Sequence, residues 1–360
     1  MLIKNKVMKM NKITKFFFFS SVLMSLMIIL ACTDNSGNKV PDIGYDPIPP
    51  SQGPVKFKTL EYLKSISGSK TVAGQQGRSY WQPMKDISGK YPGLFGEDFS
   101  FANFFGGTDL ANSRDLLADE CIKRWKEGQI IALMWHPCPP TYGEPCLFEG
   151  SGNKNVKSKL TDEEWTALIT DGTPLNNSWK NMIDAIVPSM RKMQNAGVEI
   201  LWRPFHEMNQ GAFWWGGRKG PNGTAKLYRM MHDYLTKTKG ITNLIWVWNV
   251  QDFSTLQTDL TDYDPGSSYY DVLSLDVYWS DGTGLTATKY NAMVNKAAGK
   301  PIAIGESDVM YTSGDFTNQP KWTYFMCWRE LTQQKNSNQR IYDVYNAANV
   351  VTLDELPGWK

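Results

Sequence analysis

This 360-residue chain has little that suits metal or nucleic-acid chemistry. It holds three histidines and five cysteines. No CxxC pair occurs and the histidines are scattered, at 136, 206 and 232, so a zinc site is not expected. An excess of charge of one sign is also missing. The 38 Lys+Arg stand against 36 Asp+Glu, a net of +2, and such a balance gives nucleic-acid binding no support. Long apolar runs are scarce as well. One lies near the start, Phe16–Leu30, 15 residues long and broken by Ser20, Ser21 and Ser25. That is shorter than the roughly 20 residues a bilayer-spanning helix needs.

What is present at the N-terminus reads as an export signal. Lys4, Lys6, Lys9, Lys12 and Lys15 precede the apolar run, which ends in Ile29-Leu30-Ala31-Cys32. That ending resembles the lipobox of bacterial lipoproteins, in which the cysteine becomes the lipidated first residue of the mature chain. Residues 1–31 are therefore expected to be removed, with Cys32 carrying the acyl chains that anchor the protein to a membrane. The mature chain would then have 33 basic residues against 36 acidic, so the apparent basicity belongs to the signal. Residues 32–53 are rich in Asn, Asp, Gly, Ser and Pro and read as a flexible tether. The expected location is an outer-membrane lipoprotein, facing the periplasm or the cell surface. In such a compartment disulfides persist. Cys138 and Cys146 flank a Pro-rich loop, a spacing that admits a local disulfide without requiring one. Cys121 and Cys327 read as buried thiols.

After the tether, short apolar runs and helical stretches alternate. The runs are Thr71–Ala73, Pro92–Phe95, Ile130–Trp135, Val198–Trp202, Leu244–Trp248, Val272–Val277, Pro301–Ile304 and Tyr324–Cys327. Helical patterns fall at Ala111–Glu127, Ser178–Ala196, Thr224–Lys237 and Thr288–Ala298. Alternation of this kind argues for a parallel sheet, and eight runs over residues 54–360 fit a single α/β domain, a (β/α)8 TIM barrel.

Polar and aromatic residues collect where the runs end, the end at which such barrels carry their catalytic groups. His136 follows the third run, Arg203, His206 and Glu207 the fourth, Asn249 and Gln251 the fifth, and Tyr278 and Trp279 the sixth. Glu306 follows the seventh and Trp328 the eighth. Two glutamates on opposing sides of a barrel mouth suit glycoside hydrolysis, in which one carboxylic acid protonates the leaving oxygen and a second carboxylate acts from the other face of the sugar. Indoles nearby suit the weakly polar faces of pyranose rings. The loop 137–149, long and Pro-rich, is expected to wall the cleft. Among 14 tryptophans, Trp125 and Trp165 read as helix packing, and Trp81, Trp279 and Trp328 as cleft residues. His232 reads as a structural residue in mid-helix.

The segment Trp202-Arg203-Pro204-Phe205-His206-Glu207-Met208-Asn209, with Phe213-Trp214-Trp215-Gly216-Gly217, closely resembles the signature of glycoside hydrolase family 26, best known for β-mannanases. Trp135-His136, Trp246-Val247-Trp248-Asn249, Asp276-Val277-Tyr278, Pro301-Ile302-Ala303-Ile304-Gly305-Glu306 and Tyr324-Phe325-Met326-Cys327-Trp328 agree in order, over roughly residues 55–357. The resemblance implies a retaining barrel hydrolase with Glu207 as acid/base and Glu306 as nucleophile. It also implies His206 and His136 at the sugar-binding centre, Tyr278 bonded to the nucleophile, and Trp328 as an aromatic floor. Arg203, Trp214, Trp215 and Trp279 complete the expected substrate-binding set. There is one departure: the family often has tryptophan five residues after the acid/base, where this chain has Ala212.

The expected activity is endo-β-1,4-mannanase on mannan, galactomannan or glucomannan, by a monomer needing no metal or organic cofactor. A β-glucanase or xylanase on the same barrel is the rival within the chemistry, because fold and catalytic pair do not fix the sugar. A glycan-binding surface lipoprotein is the rival from another class, and the presence of both glutamates weighs against it.

Overall fold

The computed structural model describes residues 55–99, 101 and 109–359. The expected signal, Cys32 and the tether lie outside them. Among the described residues, eight long strands are β1 (Thr71–Gln76), β2 (Leu94–Asp98), β3 (Ile130–Trp135), β4 (Ile200–Pro204), β5 (Leu244–Gln251), β6 (Val272–Val277), β7 (Ile302–Ser307) and β8 (Trp322–Cys327). All pair in parallel, in sequence order, and β1 pairs with both β2 and β8, so the sheet closes. A short ninth strand, β9 (Val350–Val351), adds to β1. The domain is a (β/α)8 barrel, as expected.

Helices α1 (Lys58–Ile66), α2 (Trp81–Ser88), α3 (Leu110–Lys126), α4 (Asp162–Leu168), α5 (Pro174–Asn195), α6 (Thr224–Asp233), α7 (Leu256–Asp262), α8 (Ala287–Ala297), α9 (Ser313–Asn318), α10 (Leu331–Lys335) and α11 (Asn338–Tyr345) lie between and around the strands. Their starts follow local chemistry. The Thr173 side chain accepts from Asn176 N–H and Pro174 opens the first turn of α5; Thr161 and Glu164 form a capping box on α4. The four helical stretches read from the sequence become α3, α5, α6 and α8. The third ends early as an α-helix, passing into a π-helical turn at Tyr234–Thr238.

All eight barrel strands are buried along their length, which is why they read as apolar runs rather than alternating ones. One irregularity bears on the site. Leu275 pairs with Ile304 but Asp276 with Glu306, so β7 carries one extra residue, Gly305, against β6. Such bulges re-aim the next side chain. A Cβ on Gly305 would stand 2.5 Å from Asp276 Oδ1 and 2.9 Å from Asn249 Nδ2. Only glycine lets this polar layer pack against the strand carrying Glu306.

Candidate active site

β4 delivers Glu207 through a tight turn. Phe205 and Glu207 have φ of 50° and 51°, a left-handed conformation costing about 1–3 kcal/mol for a residue with a side chain. Specific bonds hold it. Glu207 N–H donates to Asn249 Oδ1 at 2.6 Å, and Trp215 Nε1–H to the His206 carbonyl at 2.9 Å. Gly217 N–H reaches the Met208 carbonyl at 2.9 Å. The Gln210 amide donates to Glu207 Oε2.

β7 and its bulge deliver Glu306, whose two oxygens are both taken. Tyr278 O–H donates to Oε2 at 2.8 Å and Arg203 Nη2–H to Oε1. The same guanidinium gives Nη1–H to Asp276 Oδ2 at 2.7 Å, and Asp276 Oδ1 accepts from Asn249 Nδ2 at 2.7 Å. One carboxylate oxygen from each of Glu207, Asp276 and Glu306 lies within 4.8 Å of the other two. Such a triad has the residue types of a cation site, but Arg203 already supplies positive charge to two of its three members.

The environment of Glu207 favours its protonated form. Burial, then the charges of Asp276 and Glu306, push the Glu207 carboxyl well above the ordinary range, over the opposing pull of Arg203. It holds its proton near neutrality. Burial works against the charge on Arg203, but Asp276 and Glu306 outweigh it and keep the guanidinium charged. Burial, then His136 and Arg203, push His206 well below its ordinary value, so this imidazole is neutral.

His136 stands against His206 at 4.4 Å between ring centroids. Its Nδ1 faces Asp98 Oδ2. A carboxylate accepts there, so in the neutral ring the proton sits on Nδ1 and Nε2 is the acceptor. Phe213 and Phe148 pack on the same imidazole at 5.3 and 5.5 Å. Phe148 belongs to the expected wall loop, and that loop is tied by a Cys138–Cys146 disulfide and by a 2.6 Å ion pair between Arg114 and Glu144. Cys121 and Cys327 are buried thiols.

The tryptophans divide differently from expectation. Trp214 and Trp215 are 1% and 0% exposed, so the expected sugar contact is corrected for both. Trp214 Nε1–H is spent on the Pro137 carbonyl at 2.7 Å, and Trp215 stacks on Phe213 at 4.5 Å. They form the apolar wall behind the histidines. Trp81 is likewise no cleft residue. It is buried between Tyr91, Phe95 and the Arg124 guanidinium. Arg203, expected to touch substrate, instead spends its guanidinium on two carboxylates. Trp279, by contrast, is 44% exposed, at φ 59°, lying on Gly284 with no room for a Cβ beneath it. Trp328 is half-buried and fixed by its N–H to the Ser307 carbonyl at 2.9 Å. Trp125 and Trp165 pack within α3 and α4 as read, and His232 is in α6.

The sequence reading passed over Asp98, and it had no role for Asp276 or Asn249. All three are buried polar residues near the C-terminal end of an apolar strand, the same signal that marked Glu207.

The profile of glycosyl hydrolase family 26 matches residues 51–355. A mannan endo-1,4-beta-mannosidase of Thermothelomyces thermophilus is 30% identical over 320 residues, 83% of this chain and 61% of that protein. The mannan endo-1,4-beta-mannosidase A and B of Caldalkalibacillus mannanilyticus is 29% identical over 326 residues, 83% of this chain and 60% of its own. The chain thus spans about three fifths of the length of these curated relatives. Among solved structures, GH26A from Muricauda sp. MAR_2010_75 superposes with a TM-score of 0.75 at 35% identity, covering 82% of this chain and 95% of that one. A GH26-CBM35 beta-(1,4)-mannanase of Podospora anserina gives 0.69 at 27%, covering 84% and 66%. On the profile match, which takes in both glutamates and nearly the whole barrel, the chain belongs to glycosyl hydrolase family 26.

Proposed function

We propose that the protein is a retaining endo-β-1,4-mannanase, with Glu207 as acid/base and Glu306 as nucleophile. The observation that carries the mechanism is the separation of the two carboxyls. One oxygen of Glu207 lies within 4.8 Å of one of Glu306, a close approach that favours the retaining arrangement, with carboxyls ~5–5.5 Å apart, over the inverting one at ~6.5–9.5 Å.

In the first step Glu207 gives its proton to the glycosidic oxygen while a Glu306 oxygen attacks the anomeric carbon. The bond to the leaving sugar breaks and a glycosyl ester forms. In the second step the Glu207 carboxylate takes a proton from water, whose oxygen attacks the same carbon. The ester bond breaks and returns its electron pair to Glu306. Esterification also removes the Glu306 charge, one of the causes that raise Glu207. The group is therefore a stronger acid in the intermediate, as its change of role requires. The His136 and His206 rings, set against one another at 4.4 Å, are the groups that the family resemblance assigns to sugar hydroxyls. Trp279 and Trp328 offer aromatic faces.

Mannan as the substrate rests on the names of the relatives. Anchoring through Cys32 in an outer membrane rests on the sequence, and a monomer is the simplest assembly to pair with it. No helix among the described residues is long and apolar enough to cross a membrane. The test is product release from unbranched β-1,4-mannan, with barley β-glucan and xylan beside it, for wild type, Glu207→Ala and Glu306→Ala. Mannan cleavage lost in both variants, with β-configured initial products by NMR, is the expected result. Cleavage of glucan or xylan alone would overturn the substrate. Binding without cleavage of any polymer would point to the glycan-binding reading. Export of a Cys32→Ala variant into the soluble fraction, with wild type in the membrane, tests the anchor.

A further inference from the structure

Asn249, at position six of β5, is fully buried and ties its oxygen and both amide N–H groups to the end of β4 and to β6. Its Oδ1 accepts from Glu207 N–H at 2.6 Å. Its two amide N–H groups serve Ser274 Oγ at 2.8 Å and Asp276 Oδ1 at 2.7 Å. The amide has one orientation here. Turned over, it would set N–H against N–H at Glu207 and oxygen against oxygen at Asp276.

The backbone N–H so anchored belongs to a residue at φ 51°. The direction of the Glu207 Cα–Cβ bond follows from where its peptide is tied. Asp276 passes the register on: its other oxygen takes Arg203, and Arg203 holds Glu306. A continuous line of hydrogen bonds thus joins the main chain of one glutamate to the side chain of the other. It runs through β5, β6 and β4, and the bulge at Gly305 makes room for it.

We propose that Asn249 is a positioning residue for the reaction, holding the Glu207 carboxyl in proton-transfer geometry by fixing the backbone of that residue. The inference rests on Glu207 being the acid/base. It separates Asn249 from a residue that merely stabilises the barrel. A structural role would lower all activities together, whereas misplacing an acid penalises only leaving groups that need a proton.

The experiment compares kcat/KM in the full chain for mannopentaose and for 2,4-dinitrophenyl β-mannobioside, whose leaving group departs unprotonated. Asn249→Ala is expected to lose about 100-fold on mannopentaose, the scale of a misplaced catalytic group. It should lose no more than about 3-fold on the aryl glycoside, with KM for mannopentaose nearly unchanged. Equal losses on both substrates, or a rise in KM with kcat intact, would overturn the proposal. Asn249→Asp paired with Asp276→Asn keeps the acceptor for Glu207 N–H, reverses the bond between the two side chains without adding a charge, and serves if the alanine variant does not fold. Its ratio of the two activities is expected to stay within about 5-fold of wild type, and a ratio collapsed as in Glu207→Ala would sink the proposal. Failure of the underlying reading looks different: Glu207→Ala itself would lose equally on both substrates. If wild type is inert on both mannosides, only the choice of sugar falls, and the same ratio is read on the gluco or xylo pair it cleaves.

Discussion

Tyr278 O–H donates to Glu306 Oε2 over 2.8 Å, so the carboxylate is gripped by a phenol on one oxygen and by Arg203 on the other. Burial, then the charges of Glu306, Asp276 and Glu207, hold the phenol pKa well above its ordinary value, so it remains a donor. A hydrogen bond to a charged group contributes about 1.5–3 kcal/mol. Tyr278→Phe is therefore expected to lower kcat by roughly 10- to 100-fold if the bond is used to orient attack. KM should move little. Steady-state kinetics check this, and a raised KM at unchanged kcat would make the phenol a binding group instead.

A second prediction concerns pH and stability. The folded Glu207 carboxyl binds its proton more tightly than the unfolded one. Below the unfolded value of about 4.3 both states are protonated and the group contributes no difference. As pH rises above it, the unfolded chain releases this proton and the native state keeps it, so stability falls with pH across the window up to the raised native value. Glu207→Gln removes that penalty. The variant should melt higher than wild type at pH 7, and the gain should shrink towards zero near pH 4. Differential scanning calorimetry at the two pH values reads this directly. Activity has the corresponding limb: wild type loses turnover of natural glycosides as pH rises through the raised value.

Asp98 and His136 make a third. Asp98→Leu takes away the acceptor on Nδ1, so nothing holds the ring proton there and the acceptor on Nε2 is no longer fixed. We expect kcat/KM on manno-oligosaccharides to fall by about 100-fold or less, the scale of a lost buried polar contact of 1–3 kcal/mol. The far-ultraviolet spectrum should be unchanged. Nitrogen-15 shifts of the His136 ring test the tautomer independently of turnover.

Strand cores were legible because burial on both faces makes them continuous apolar runs, and β3 and β6 fall where the sequence places them. Their C-terminal ends were not. β1, β2, β5 and β7 each run on past the last apolar residue into Gln75-Gln76, Glu97-Asp98, Asn249 to Gln251 and Glu306-Ser307. A polar residue ends an apolar run by pattern alone. It extends a strand when its partners arrive from neighbouring strands, and those partners are distant in sequence: Asp98 with His136, Asn249 with Asp276, Arg203 with Glu306. The glutamate pair and Tyr278 could be read, while Asp98, Asp276 and Asn249, which also support the site, could not. The tryptophans failed in the opposite sense. An indole in a signature motif reads equally as platform or wall, and only burial decides: Trp214 and Trp215 are wall, Trp279 is presented.

How Trp279 is presented gives the last prediction. Lys289, buried at the start of α8, donates to Asp252 Oδ2 at 3.0 Å, Asp281 Oδ1 at 2.8 Å and the Gly284 carbonyl at 2.9 Å. Asp252 in turn accepts from Ser280 N–H at 3.1 Å, and Gln251 Nε2–H reaches Ser280 Oγ at 2.6 Å. The whole 278–284 segment is thereby pinned around one ammonium group, with the exposed indole on top. Lys289→Met leaves Asp252 buried without its counter-charge, a change that costs about 3–5 kcal/mol. Adding Asp252→Asn should recover much of that loss, because an amide needs no counter-charge. The loop would still be unpinned in the double variant. If Trp279 stacks on substrate, KM for long manno-oligosaccharides should therefore stay raised after the melting temperature has recovered. Trp279→Ala added to the double variant should raise it little further, since the two changes remove the same contact. Full additivity of the two KM effects would show that the pin and the platform act separately.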